Sequence, residues 1–198
     1  MATTFDAGQP SDAQLVARVV IGDDRAAFGA LVRRHQSGVR ALLRRLTCGQ
    51  DALADDLAQD TFLRAYRGLS GFRRDAKFTT WLYRIAWNVY LDERKRHREI
   101  PEPEPANEWA RTGVQQSVLF QHDLLRAMRA LSPEERAAIA MTYAEDLTHD
   151  EAALALGWPL GTLKTHVLRG KAKLRARLHA WQDAPPLQAT ADGQREGD

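Results

Sequence analysis

Residues 72–98 read FRRDAKFTTWLYRIAWNVYLDERKRHR, and this stretch decides the fold because its apolar residues recur at helical spacing. Trp81, Leu82, Ile85, Ala86 and Val89 form one core-facing set, and Thr79 or Thr80 stands where a cap is needed. Ahead of them lies a loop bounded by Phe72 and Phe78; behind them come Asn88 and the cations Arg94, Lys95, Arg96 and Arg98. Rings to stack on, cations to hold phosphates and an amide to read base edges are the ingredients of single-strand nucleic-acid binding. The same residues also describe an amphipathic helix with a solvated basic end.

Working outward towards the N-terminus, the helical period continues. Residues 1–10 are polar and are expected to fray. Ser11 to Gln14 fits a capping box ahead of Leu15, Val16, Val19 and Val20, and Gly22 closes that helix. Asp23 is placed to cap the next, whose stripe is Phe28, Leu31, Val32, Val39, Leu42, Leu43 and Leu46. His35 lies on that stripe and is expected to be packed there. Gly49 stops the helix and Asp51 opens a third, with Leu53, Leu57, Phe62 and Tyr66 inward. Asp56, Gln59, Asp60 and Leu63 share a neighbouring face. No strand alternation occurs, so this half is all helical.

From Glu99 the composition changes. IPEPEPANEWARTG, residues 100–113, alternates proline with glutamate, which blocks helix and pushes the chain open by like-charge repulsion. Helical pattern resumes with Val118, Leu124, Leu125, Met128 and Leu131. Ser132-Pro133-Glu134-Glu135 and Thr148-His149-Asp150-Glu151 are two further helix starts of the capping-box kind. Ala152, Ala153, Leu154 and Leu156 make a short helix ended by Gly157; after Trp158-Pro159 a last helix carries Leu160, Leu163, Val167, Leu174 and Leu178. A short alanine-rich helix, a glycine turn and a basic helix are the sequence form of a helix-turn-helix. Its outward row, Lys164, Thr165, His166 and Arg169, suits a major groove.

The fold class expected is therefore all-α, two small helical domains joined by a flexible acidic linker. The boundaries are a disordered 1–10, a first domain 11–98, a linker 99–116, a helix-turn-helix domain 117–180 and a disordered tail 181–198. The 198 residues carry 28 Lys+Arg against 26 Asp+Glu, net +2, so total charge names no partner. Its distribution says more, because acid and base are segregated into faces. Cys48 is the single cysteine, which rules out an intramolecular disulfide and a thiolate metal cage. There is no signal-peptide pattern and no apolar run of membrane length, so a soluble cytoplasmic protein without membrane insertion is expected.

The row Asp55, Asp56, Gln59, Asp60 admits a metal site, a protein-docking surface or a purely solvated face. No second acidic motif or His-Glu pair completes a metal site, which favours docking. Two further classes stay open on the residues alone: a stand-alone helix-turn-helix regulator, and a metal-dependent hydrolase built on Asp55, Asp56 and Asp60.

The order of parts supplies a resemblance. DDLAQDTFLRAYRGL (55–69), then FRRDAKFTTWLYRIAWNVYLDERKR (72–96), the acidic linker, then LSPEERAAIAMTYAEDLTHDEAALALGWPLGTLKTHVLRGKAKL (131–174) resembles the extracytoplasmic-function sigma factors of the sigma-70 family. It spans roughly Asp12 to Leu178. The resemblance implies a non-enzymatic promoter-specificity factor that needs no cofactor and no metal. Its partners would be core RNA polymerase, through the beta-prime clamp helices and the beta flap, promoter DNA, and an anti-sigma factor. It implies polymerase docking by Asp55, Asp56, Gln59, Asp60 and Phe62. It implies −10 recognition and melting by Phe72, Asp75, Lys77, Phe78, Asn88, Arg94, Lys95, Arg96 and Arg98. It implies −35 recognition by Lys164, Thr165, His166, Leu168, Arg169 and Lys173. His166 stands where the family often has Arg, and Gly170 where it often has Ala. Trp158 in the turn is unusual. In isolation Gly170 should cost the last helix up to about 1 kcal/mol.

Overall fold

The computed structural model describes residues 9–73, 75–97 and 124–182, and among these every regular element is helical. The expected resumption near Val118, the linker 99–116, residues 1–8 and the tail from 183 lie outside the described residues.

Helix α1 (Asp12–Gly22) starts on the expected reciprocal box: the Gln14 amide donates to the Ser11 hydroxyl, and the Ser11 amide to the Gln14 side chain at 2.7 Å. The chain then turns at Asp23, which is left-handed at φ 46°. Asp24, not Asp23, caps α2 (Arg25–Leu46), accepting from the Ala27 amide at 3.0 Å. An N-cap needs extended backbone, and a residue spent on the left-handed turn cannot also supply it. Helix α3 (Asp51–Gly68) runs into a 3₁₀ turn, Leu69–Gly71. Helix α4 (Phe78–His97) begins one residue before the expected caps. Thr79 and Thr80 therefore sit inside its first turn, and the Thr80 hydroxyl is buried without a partner.

Helix α2 lies at the centre of this half, against α1, α3 and α4. It fully buries Leu31, Val39, Leu42 and Leu43. Each such side chain contributes about 1.5–3 kcal/mol of transfer free energy. Helix α4 is apolar on two sides. Leu82, Ala86 and Val89 are buried as the period demands, but so are Tyr83, Trp87 and Tyr90. The second set is covered by the C-terminal half of the chain.

That half begins with a helical turn at residues 124–128. Helix α5 (Pro133–Ile139) passes directly into a π-helical turn, Ala140–Ala144. Helices α6 (His149–Leu156) and α7 (Leu160–Gln182) follow. Ser132 with Glu135, and Thr148 with Glu151, form the two expected boxes. Gly157 ends α6 at φ 70°, a conformation glycine adopts without a Cβ penalty. Helix α7 packs on α5 and α6. At the α5 crossing a Cβ on Gly170 would sit 2.9 Å from Ile139 Cγ1. The glycine that weakens an isolated helix is what lets these two approach, so packing offsets its propensity cost.

Candidate nucleic-acid interface

Three surfaces carry the residues singled out by the sequence. The first is the outer side of α3. Asp56 and Gln59 are exposed there, beside Leu63, which is 55% exposed. The rest of the row is committed within the chain. Asp55 accepts from the Arg40 guanidinium of α2, and those hydrogen bonds hold its carboxyl below the ordinary range. Asp60 pairs with Arg64 at 3.0 Å, and Arg64 reaches on to Asp92 of α4 at 2.6 Å. The acidic helix is thus braced on both sides by arginine, and the described residues contain no cluster of three or more metal-ligating groups. Between α2 and α3 runs a groove of about 1140 Å³ whose walls include Val32, Gln36, Gln59 and Phe62.

The second surface is the loop before α4. Phe72, Phe78 and Trp81 form a ring cluster with centroids 5.3–5.7 Å apart. Phe78 is only 5% exposed, so it supports the cluster, whereas half-buried Phe72 keeps a free edge. Asp75 and Lys77 are exposed. Further along α4, Asn88, Lys95 and Arg96 are exposed and Arg94 is half-buried; Arg96 pairs with Glu93 at 2.9 Å. Arg98 lies outside the described residues. Beside the loop is a cavity of about 490 Å³ lined by Phe72 and Lys77 and by Asp12 and Arg34 of other helices.

The third surface is α7. Lys164, Thr165, Leu168 and Arg169 are exposed, Leu168 at 71%. Lys173 is tied to Glu135 of α5 at 2.7 and 2.8 Å, which makes it a brace within this half. His166 does not point freely outward. It is half-buried against Trp158, ring centroids 5.1 Å apart, with Nδ1 buried and unpartnered. The physical reason is the neighbouring ring: Trp158 in turn meets Trp87 of α4 edge-on at 5.9 Å and 90°. The unusual tryptophan of the turn is the centre of a seam between the two halves.

Sequence reasoning missed the rest of that seam. Glu145, whose side chain is 8% exposed, accepts from the Tyr83 hydroxyl and from Arg45, both at 2.6 Å. Burial raises its carboxyl above the ordinary range, against the lowering effect of Tyr83 and Arg45. Arg136, 9% exposed, donates to the carbonyls of Met128 and Leu131 in its own half and to that of Leu46 in α2 at 2.7 Å. At the edge, Lys77 of the loop pairs with Glu151 at 2.8 Å. Lys77 and the Thr148 cap hold the Glu151 carboxyl down at about 2. Only the ring content of α4 (Tyr83, Trp87, Tyr90) signalled a second covered face.

Sigma-70 region 2 is matched by residues 31–100, and sigma-70 region 4 by residues 121–174. The chain is 36% identical over 168 residues to the ECF RNA polymerase sigma factor SigM of Mycobacterium tuberculosis, covering 85% of this chain and 84% of that protein. It is 31% identical over 178 residues to the ECF RNA polymerase sigma-E factor of Escherichia coli, covering 82% and 92%. Among solved structures it is similar to CnrH in complex with the cytosolic domain of CnrY, at TM-score 0.67 and 28% identity, covering 87% of this chain and 99% of that one. It is also similar to the sigma factor RpoE in complex with the anti-sigma factor NepR from Bartonella quintana, at TM-score 0.65 and 28% identity, covering 77% and 96%.

Proposed function

The chain belongs to the sigma-70 family, in its extracytoplasmic-function group, and from that premise we propose a division of labour among the three surfaces. As a promoter-recognising sigma factor it directs transcription initiation. The exposed Asp56 and Gln59, with Phe62 and Leu63 at the rim of the α2–α3 groove, dock on the beta-prime clamp helices of core RNA polymerase. Asp55 and Asp60 hold that surface in shape through Arg40 and Arg64. A polar row beside a greasy groove supplies both steering and buried contact.

Phe72 and the exposed residues of the loop capture a base flipped from the −10 element, with Asn88 reading beside it and Arg94, Lys95, Arg96 and Arg98 holding phosphates. Unstacking a base costs a few kcal/mol, which a ring face and a fitted cavity return. Lys164, Thr165 and Arg169 meet the −35 element from the major groove, with Leu168 beside them. The domain limits are 11–98 and 117–180. The chain acts as a regulator of the polymerase's catalysis, and it works where the polymerase works, in the cytoplasm. Among the described residues no helix is long and apolar enough to cross a membrane. An anti-sigma factor is the expected antagonist, as in the complex of RpoE with NepR.

The observation that carries this reading is the presence, in one chain, of an exposed Asn88 on the ring-bearing helix and of exposed Lys164, Thr165 and Arg169 on a capped helix-turn-helix. A lone helix-turn-helix regulator has no use for the first. Run-off transcription with core polymerase tests it. Adding the protein should produce transcripts that start at fixed sites on a promoter library. Tight operator binding without any polymerase dependence would sink the proposal.

The closed seam adds a requirement. The −35 and −10 elements are named for positions about 25 base pairs apart, or about 85 Å along the duplex at ~3.4 Å per step. With the seam closed, Asn88, next to Trp87, and His166, packed on Trp158, are held close together, far short of that span. Promoter engagement therefore opens the seam between Trp87 and Trp158.

A further inference from the structure

The cavity beside the 72–77 loop has two unlike walls. One is the ring side, with Phe72 backed by Phe78 and Trp81. The other is brought by helices that the −10 reading does not use: Asp12 at the start of α1 and Arg34 of α2. These two side chains are fixed by a set of bonds. Asp12 Oδ1 accepts from Arg34 Nη1 at 2.5 Å, and Asp12 Oδ2 lies 2.9 Å from His35 Nε2. Arg34 Nη2 donates to the Pro10 carbonyl at 2.9 Å. Both side chains stay partly open, 26% for Asp12 and 32% for Arg34. Each carboxylate oxygen keeps a second lone pair, and the guanidinium keeps N–H donors beyond those engaged. The result is an acceptor beside a donor, fixed by these bonds, lining the same cavity as a ring.

The volume, about 490 Å³, lies within the range of pockets that enclose a small ligand and suits one unpaired base. A base stacked on Phe72 would turn an edge to the Asp12–Arg34 wall. Carboxylates accept from exocyclic amines, as they do for cytosine N4 in duplex readout. Thymine has no amine: its single ring N–H lies between two carbonyl oxygens, which a carboxylate repels. Arg34 serves the acceptor that neighbours the amine.

Resting on the assignment of the loop as the −10 capture site, we propose that Asp12 and Arg34 form the base-selecting wall of this cavity. They favour, at one −10 position, a flipped base that carries an exocyclic amine over thymine. The residues that choose the base thus come partly from α1, outside the ring-bearing loop and helix.

The test is transcription by the full-length protein with core polymerase from a library randomised across the −10 element behind a fixed −35 element. The unaltered protein should disfavour thymine at one position by about tenfold, the discrimination of one good base contact. Asp12→Asn, which adds an amide donor, should flatten that preference to within about threefold and leave the other positions alone. Arg34→Lys, which keeps the charge and loses the fork, should weaken it at the same position, and it decides the matter if Asp12→Asn unfolds. Base profiles of both variants that match the original at every position would overturn the proposal. Phe72→Ala separates this from the underlying reading. If Phe72→Ala abolishes −10 selection while the wall variants do nothing, only the wall is wrong; if Phe72→Ala also changes nothing, the loop assignment falls.

Discussion

Two flanks of the N-terminal domain make an instructive pair. The α2–α3 groove and the α4–α6 seam both mix rings, aliphatic carbon and arginine–carboxylate pairs. The groove is open, with Leu63 at 55% exposure on its rim and about 1140 Å³ of space. The seam is shut, with Trp87 at 3% and Arg136 at 9%. Composition does not distinguish them; the chain's own C-terminal half does. On the proposed reading, the open flank receives the polymerase, whereas the shut flank is undone when the molecule spans a promoter.

The sharpest way to break this contrast is Arg136→Ala. It takes the guanidinium away from the buried carbonyls of Leu131 and Leu46 and from that of Met128, which keeps only the Leu131 amide. A loss of about 3 kcal/mol in urea unfolding is expected. A loss under about 1 kcal/mol would mean the seam is not a fixed structure. Trp158→Ala comes next. It removes a half-buried ring from the Trp87 contact and should cost about 2 kcal/mol, less than a fully buried aromatic. Its second signature is a gain: free protein should bind −35 duplex more tightly as His166 is uncovered. Unchanged or weaker binding would argue that the seam does not mask the reading face.

On the open flank, Asp56→Arg should weaken core-polymerase affinity by about tenfold with no change in unfolding. Equal affinity would remove α3 from the docking surface. The smallest effect concerns pH. The buried Glu145 carboxyl holds its proton more tightly when the seam is closed than when water reaches it. Closure is therefore favoured by acid, and the advantage fades as pH rises through the raised pKa, above the ordinary value of 4.5. Small-angle scattering should show the average growing more compact as pH is lowered towards that ordinary value, and Glu145→Gln should erase that trend.

What the sequence disclosed follows from locality. Ser11, Ser132 and Thr148 cap as expected because a capping box needs only four consecutive residues. Gly157 turns the chain because left-handed backbone leaves a local signature. The cap of α2 was also a local matter, yet Asp23 was read for Asp24, because two adjacent aspartates carry identical chemistry. Long-range facts left no such trace. Nothing local marks Arg136 and Glu145, whose partners lie 90 and 100 residues away. Gly170 read as a weak point because its reason, Ile139 at 2.9 Å from a notional Cβ, sits on another helix. Asp12 was one more polar residue at a helix start until α2 brought Arg34 and His35 to it.

A family assembled from two modules and a tether invites recombination, and the Glu145 contact sets terms on it. Tyr83 and Arg45 belong to one module and Glu145 to the other. A C-terminal module transplanted from a relative with an apolar residue there would strand a hydroxyl and a guanidinium, at about 1–3 kcal/mol. Such a hybrid would rest ajar. On the proposed reading its DNA-reading surfaces would be less masked, and its fault would lie in a mismatched clasp and not in either of them.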